Sequence, residues 1–191
     1  MVHGSRAAIE CFDSMSDHKL QTLVRRWRGI LCALALAGCA QFEPPPQPSF
    51  YRSLAAPGAE LDASAAQSML SGYRMNNGLS ALELDPVLMQ MAQEQARTMA
   101  ARDKLDHGTG RSFTDRIKAS GFDAKFAAEN IGAGYHTLAE AFSGWRDSPS
   151  HRINMLLPGA TRMGIAAVYT PNSKYKVFWS LILAAPDEKR S

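Results

Sequence analysis

The sequence predicts an α+β domain built as a three-layer α/β/α sandwich, and three observations carry that prediction. Residues 161–170 and 175–184 read as two strands, and Pro171-Asn172-Ser173 between them has the composition of a hairpin turn. In the second run Val177, Trp179 and Leu181 alternate with Phe178 and Ile182, so both faces are apolar. A strand apolar on both faces belongs inside a sheet covered on both sides, and the chain upstream supplies helical spacing to do the covering.

The helices follow in order. Leu61 to Asn76 places Leu61, Ala65, Met69, Leu70 and Tyr73 at helical spacing, and Asn76-Asn77-Gly78 ends the run with residues that tolerate positive φ. Asp85 is an N-cap and Pro86 suits the first helical position of the next helix. Leu88, Met91, Ala92, Gln95 and Met99 then form an apolar stripe that reads as core. Ser112 to Ser120 is a short third helix. His136 to about Trp145 is a fourth, with Leu138, Phe142 and Trp145 inward. Ser148-Pro149 restarts a turn, with Ser148 as its cap.

The chain of 191 residues has room for one domain and little else. Lys and Arg number 21 against 18 Asp and Glu, and five of the former and three of the latter fall in the first 38 residues, so the remainder is near neutral. That balance lacks the electrostatic footprint of a nucleic-acid binder. The three cysteines are Cys11, Cys32 and Cys39. None lies in the domain, whose stability must come from buried apolar area.

The N-terminus reads as an address. Arg25-Arg26-Trp27-Arg28 precedes an apolar run too short to span a bilayer, the pattern of a signal peptide over residues 1–38. Met15 sits at a more usual distance from the arginines than Met1, so residues 1–14 read as an over-long start. Leu36-Ala37-Gly38-Cys39 has the form of a lipobox, in which Cys39 takes a diacylglyceryl group and becomes the first residue of a membrane-anchored lipoprotein. Ala40 after it fits sorting to an outer membrane, facing the periplasm, where the cell has one. Residues 39–58 are the lipidated cysteine and a Pro-rich spacer without a core, residues 59–186 the domain, and residues 187–191 a tail.

Three residues could carry chemistry. His107 lies in a glycine-rich turn. His151 falls in the first turn of a short helix, where the positive end of the dipole favours a neutral, metal-competent imidazole. Glu129 sits in an apolar, strand-like stretch and must be hydrogen-bonded, ion-paired or metal-bound to be buried there. They are far apart in sequence and show no local metal spacing. A serine nucleophile at Ser112, Ser148 or Ser150 lacks the Gly-x-Ser-x-Gly elbow. Trp145 and Trp179 read as core, Asn154 as a backbone partner and His136 as solvated.

The motifs converge on a family. Asn76-Asn77-Gly78-Leu79 with Leu84, His107-x-Gly, Ala128-Glu129-Asn130-Ile131, Trp145-x-x-Ser148-Pro149-x-His151-Arg152-x-Asn154-x-Leu156 and Met163-Gly164-Ile165-Ala166 occur in that order over residues 64–185. This resembles the bacterial, SCP-like branch of the CAP superfamily, which groups cysteine-rich secretory proteins, antigen 5 and plant pathogenesis-related proteins. The resemblance implies the same sandwich around a mostly antiparallel central sheet, without the extracellular members' disulfides. It implies a cleft in which two His and two Glu can hold a divalent cation, zinc first. His107, Glu129 and His151 match three of those positions, Ser148 stands at the fourth, and Asn130 lies beside them.

Three functions fit the resemblance, in order of preference. The first is a non-enzymatic envelope module that binds a lipid, another apolar molecule or a protein partner in the cleft. The second is a metal-dependent hydrolase, with the cation on His107 and His151 and Glu129 as base. The third is a lipoprotein whose polar cluster only stabilises the fold.

Overall fold

Asp62 opens the first helix: its carboxylate accepts from the Ala65 N–H at 2.9 Å, satisfying a donor that has no partner inside a helix. The computed structural model describes residues 45–108 and 110–187, and the expected leader and Cys39 lie outside them. From Gln47 onward the chain forms one unit. Helix α1 runs Ala63–Met75 and stops where Gly78 takes a φ of 74°. Strand β1, Glu83–Leu84, follows. Asp85 then accepts from the Val87 and Leu88 N–H groups, with Pro86 at the first turn, and α2 spans Pro86–Arg102. Leu88, Met91, Ala92, Gln95 and Met99 are all buried on it, as their spacing predicts.

Helix α3 is Phe113–Ser120, capped by Ser112. Strand β2 is Ala124–Ala133, α4 Leu138–Asp147, α5 Pro149–Met155, β3 Arg162–Tyr169 and β4 Val177–Pro186. The fourth helix opens later than His136 because Thr137 holds the cap. Its hydroxyl accepts from the Glu140 N–H, and the Glu140 carboxylate accepts in return from the Thr137 N–H.

The strand order is β1-β3-β4-β2. β4 pairs antiparallel with β3 and with β2, and the short β1 adds parallel to β3. The central position of β4 explains its composition. Val177, Trp179, Leu181 and Leu183 pack with Leu70, Trp145 and Met155 from α1, α4 and α5. Ile182 and Ala184 pack with Leu88, Ala92 and Ile117 from α2 and α3, and Phe178 packs with Met99. Helices therefore cover both faces of a mixed, mainly antiparallel sheet, the three-layer architecture read from β4.

One expectation is corrected at the start of the unit. The stretch up to residue 58 was expected to be spacer without a core, yet Leu54 is buried in the α1/α4 cluster with Phe50 and Ala55 against it. The Leu54 N–H donates to the His136 carbonyl at 2.7 Å. Apolar side chains among the prolines are enough to dock the segment. Among the described residues no helix is long and apolar enough to cross a membrane.

Candidate functional site

Strand β2 lies at the free edge of the sheet, so groups from both helical layers can meet around it. Glu129 sits opposite Ile182 and Asn130 opposite Leu181, and residues opposite one another share a face. Glu129 thus points to the α2/α3 layer and Asn130 to the other.

Glu129 is buried, with 2% of its side chain exposed, and it is charge-paired. Arg116 from α3 donates through Nη2 to both carboxylate oxygens at 2.8 Å and to the His107 carbonyl at 3.3 Å. The Ser180 hydroxyl donates to Oε1 at 3.4 Å. His107 Nδ1 lies 2.9 Å from Oε2. A carboxylate only accepts, so Nδ1 carries the hydrogen of this contact. With 54% of its side chain exposed, His107 is the outward end of this chain.

The other layer supplies α5, which lies along the edge of β2. Asn154 Nδ2 donates to the Glu129 carbonyl at 3.2 Å and to Asn130 Oδ1 at 2.9 Å, and Asn130 Nδ2 donates to the His151 carbonyl at 2.9 Å. Asn130 is therefore a buried staple rather than a cleft-lining group. Burial holds the His151 imidazole below its ordinary pKa, and the nearby His107 lowers it further. The neutral ring foreseen at this position thus has burial as its main cause. Ser148, expected both as a cap and at the cleft, caps nothing through its side chain. Its hydroxyl meets that of Ser150 at 3.2 Å.

The structure thus brings His107 into contact with Glu129 and sets His151 within electrostatic reach of His107. Arg116 is the member that sequence reasoning missed. The need for a partner to a buried acid was legible, but Arg111, Arg116 and Lys118 were equally eligible before the turn of α3 was known. The residues do not fit a bound cation as they stand. Both Glu129 oxygens accept from a guanidinium that already neutralises them, and among the described residues no three His, Cys, Asp or Glu side chains are placed to hold a metal.

A small α/β/α sandwich whose edge strand carries a buried acid beneath an outward imidazole, with an asparagine-stapled helix alongside, defines the class. Residues 67–183 match the Cysteine-rich secretory protein family, CAP, and the chain belongs to it. It is 34% identical over 103 residues to the Uncharacterized protein YkwD of Bacillus subtilis, a match covering 52% of this chain and 40% of that protein. An extracellular protein containing a SCP domain from Bacillus anthracis shares the fold with a TM-score of 0.56 and 21% identity, over 64% of this chain and 39% of that one. An outer surface protein from Borrelia burgdorferi does so with a TM-score of 0.59 and 19% identity, over 68% of this chain and 99% of that one. The chain thus spans well under two thirds of the two Bacillus proteins.

Proposed function

We propose that this chain is a cell-envelope CAP module, tethered through a lipid on Cys39, that binds an apolar ligand or partner at the His107 edge of the sheet. The observation that carries the reading is the oriented imidazole. A buried, ion-paired carboxylate holds Nδ1–H, which fixes the orientation of a half-exposed ring and leaves Nε2 for a polar group on a ligand. Ile153, on the same short helix as His151, presents an apolar side chain that is 69% exposed. Tethering is supported by the lipobox, and an envelope location by the extracellular and outer-surface character of the two structural relatives. The hydrolase reading is weaker, because a base needs a free carboxylate oxygen and Arg116 engages both.

The test is organic extraction of the purified full chain followed by mass spectrometry, for wild type and His107→Ala, with melting curves and metal analysis on the same samples. The expected result is a co-purifying apolar molecule that is lost in the variant while the melting temperature holds. Equal retention by the two proteins overturns the reading. A lowered melting temperature with nothing retained by either favours a structural cluster. Stoichiometric zinc that disappears in His151→Ala restores the metal centre.

A further inference from the structure

Between α2 and α3 lies an open cleft with a volume of about 540 Å³, within the range of roughly 300–1,000 Å³ typical of small-molecule sites. His107, Glu129 and His151 do not line it. Val87, Met91 and Glu94 come from α2, a spacing that puts all three on one helical face. Arg111, Arg116 and Ala119 come from α3 and the turn before it. The walls are therefore opposite in sign: a carboxylate on one, two guanidinium groups on the other, with apolar side chains on both.

The two signs do not neutralise one another. Glu94 accepts from Gln90 Nε2 at 2.9 Å, and among the described residues it forms no ion pair with either arginine. Arg116 is already paired with Glu129 through Nη2, and its Nε and Nη1 are buried away from the cleft, whereas Arg111 forms no ion pair among the described residues. A molecule that brings an anion to Arg111 and a cation to Glu94 gives each wall a charge partner.

We propose that this cleft binds a small zwitterion, an amino acid or short peptide with both ends free, its carboxylate against Arg111 and its ammonium against Glu94. Val87, Met91 and Ala119 then take aliphatic side chains. A simple anion satisfies only the arginine wall and leaves Glu94 facing it.

Calorimetric titration of the full chain in detergent tests this with alanyl-alanine and trialanine. N-acetylalanine serves as the anion alone and alaninamide as the cation alone. The zwitterions saturate the protein, and each singly charged probe binds about ten-fold or more weaker, the loss expected for one charge-assisted contact. Glu94→Gln and Arg111→Gln change exposed side chains outside the core. Each weakens the zwitterion by a similar factor with an unchanged melting temperature. No saturation at millimolar peptide, N-acetylalanine binding as well as alanyl-alanine, or variants that bind like wild type each overturn the proposal. Glu94 and Arg111 make no bond to His107, Glu129 or His151, so failure here is separable from failure of the His107 site.

Discussion

At the scale of single residues, the geometry of the site follows from one electrostatic necessity. A carboxylate taken out of water into a sheet edge costs several kcal/mol unless a cation and hydrogen-bond donors replace its hydration. Arg116 supplies the charge, and Ser180 and His107 supply further donors. Arg116→Met therefore leaves Glu129 buried without its guanidinium partner and destabilises the fold by about 3–5 kcal/mol. Adding Glu129→Gln removes the stranded charge, so the double variant recovers most of that loss in urea denaturation. A double variant as unstable as Arg116→Met would show that packing, not charge, is what Arg116 provides. The requirement for a partner was legible in the sequence, because Glu129 interrupts an apolar strand. The partner was not, because Arg116 and Glu129 meet through the tertiary turn of α3 and no local pattern encodes it. Asn130 shows the same limit: its neighbourhood with Glu129 placed it near the cleft, but strand alternation turns it to the opposite face.

At the scale of elements, local signals carried well where the deciding contacts are local. Asp85 and Ser112 cap the helices that they were read to open, and the turn at 171–173 joins the strands it was read to join. The signals failed where contacts are distant. β1 is only two residues long and exists because Glu83 and Leu84 pair with Arg162 and Met163, a pairing strengthened by the ion pair between Arg162 and Glu83. The strand order is equally invisible to periodicity. Close approach of α2 to β3 is another distant contact, and it is written in one glycine. A Cβ on Gly164 would stand 2.1 Å from the Leu88 carbonyl group, so the helix backbone must move for any larger residue. Gly164→Ala is expected to destabilise by on the order of 3 kcal/mol through overpacking. Thermal unfolding checks it, and a variant within about 0.5 kcal/mol of wild type, the scatter of a neutral surface change, would mean the helix yields freely.

At the scale of the whole molecule, the question is what keeps α5, and with it His151, in place beside the sheet. Helix α5 is short and the chain from its end to β3 is irregular, so its position depends on a tie from elsewhere. Arg74, in the last turn of α1, is one such tie, beside the asparagine staple to β2. It is fully buried, and burial alone lowers its pKa. Its guanidinium donates to the carbonyls of Ser80, Met155, Leu157 and Ala160 at 2.8–3.0 Å. Met155 ends α5 and Leu157 and Ala160 lie between it and β3, so one side chain replaces the water that the end of the helix and the connecting backbone would otherwise need. Arg74→Leu keeps bulk but takes the side-chain donor from four carbonyls, of which Leu157 keeps the Ala160 N–H, a loss on the order of 4 kcal/mol. Arg74→Lys, a single ammonium in place of a planar fork, reaches only some of them and falls between. Denaturant titration of the three proteins gives the order Arg above Lys above Leu. Hydrogen exchange then shows the loss first at residues 155–160. A leucine variant with native stability and native protection there would remove Arg74 as the link between the first helical layer and the site.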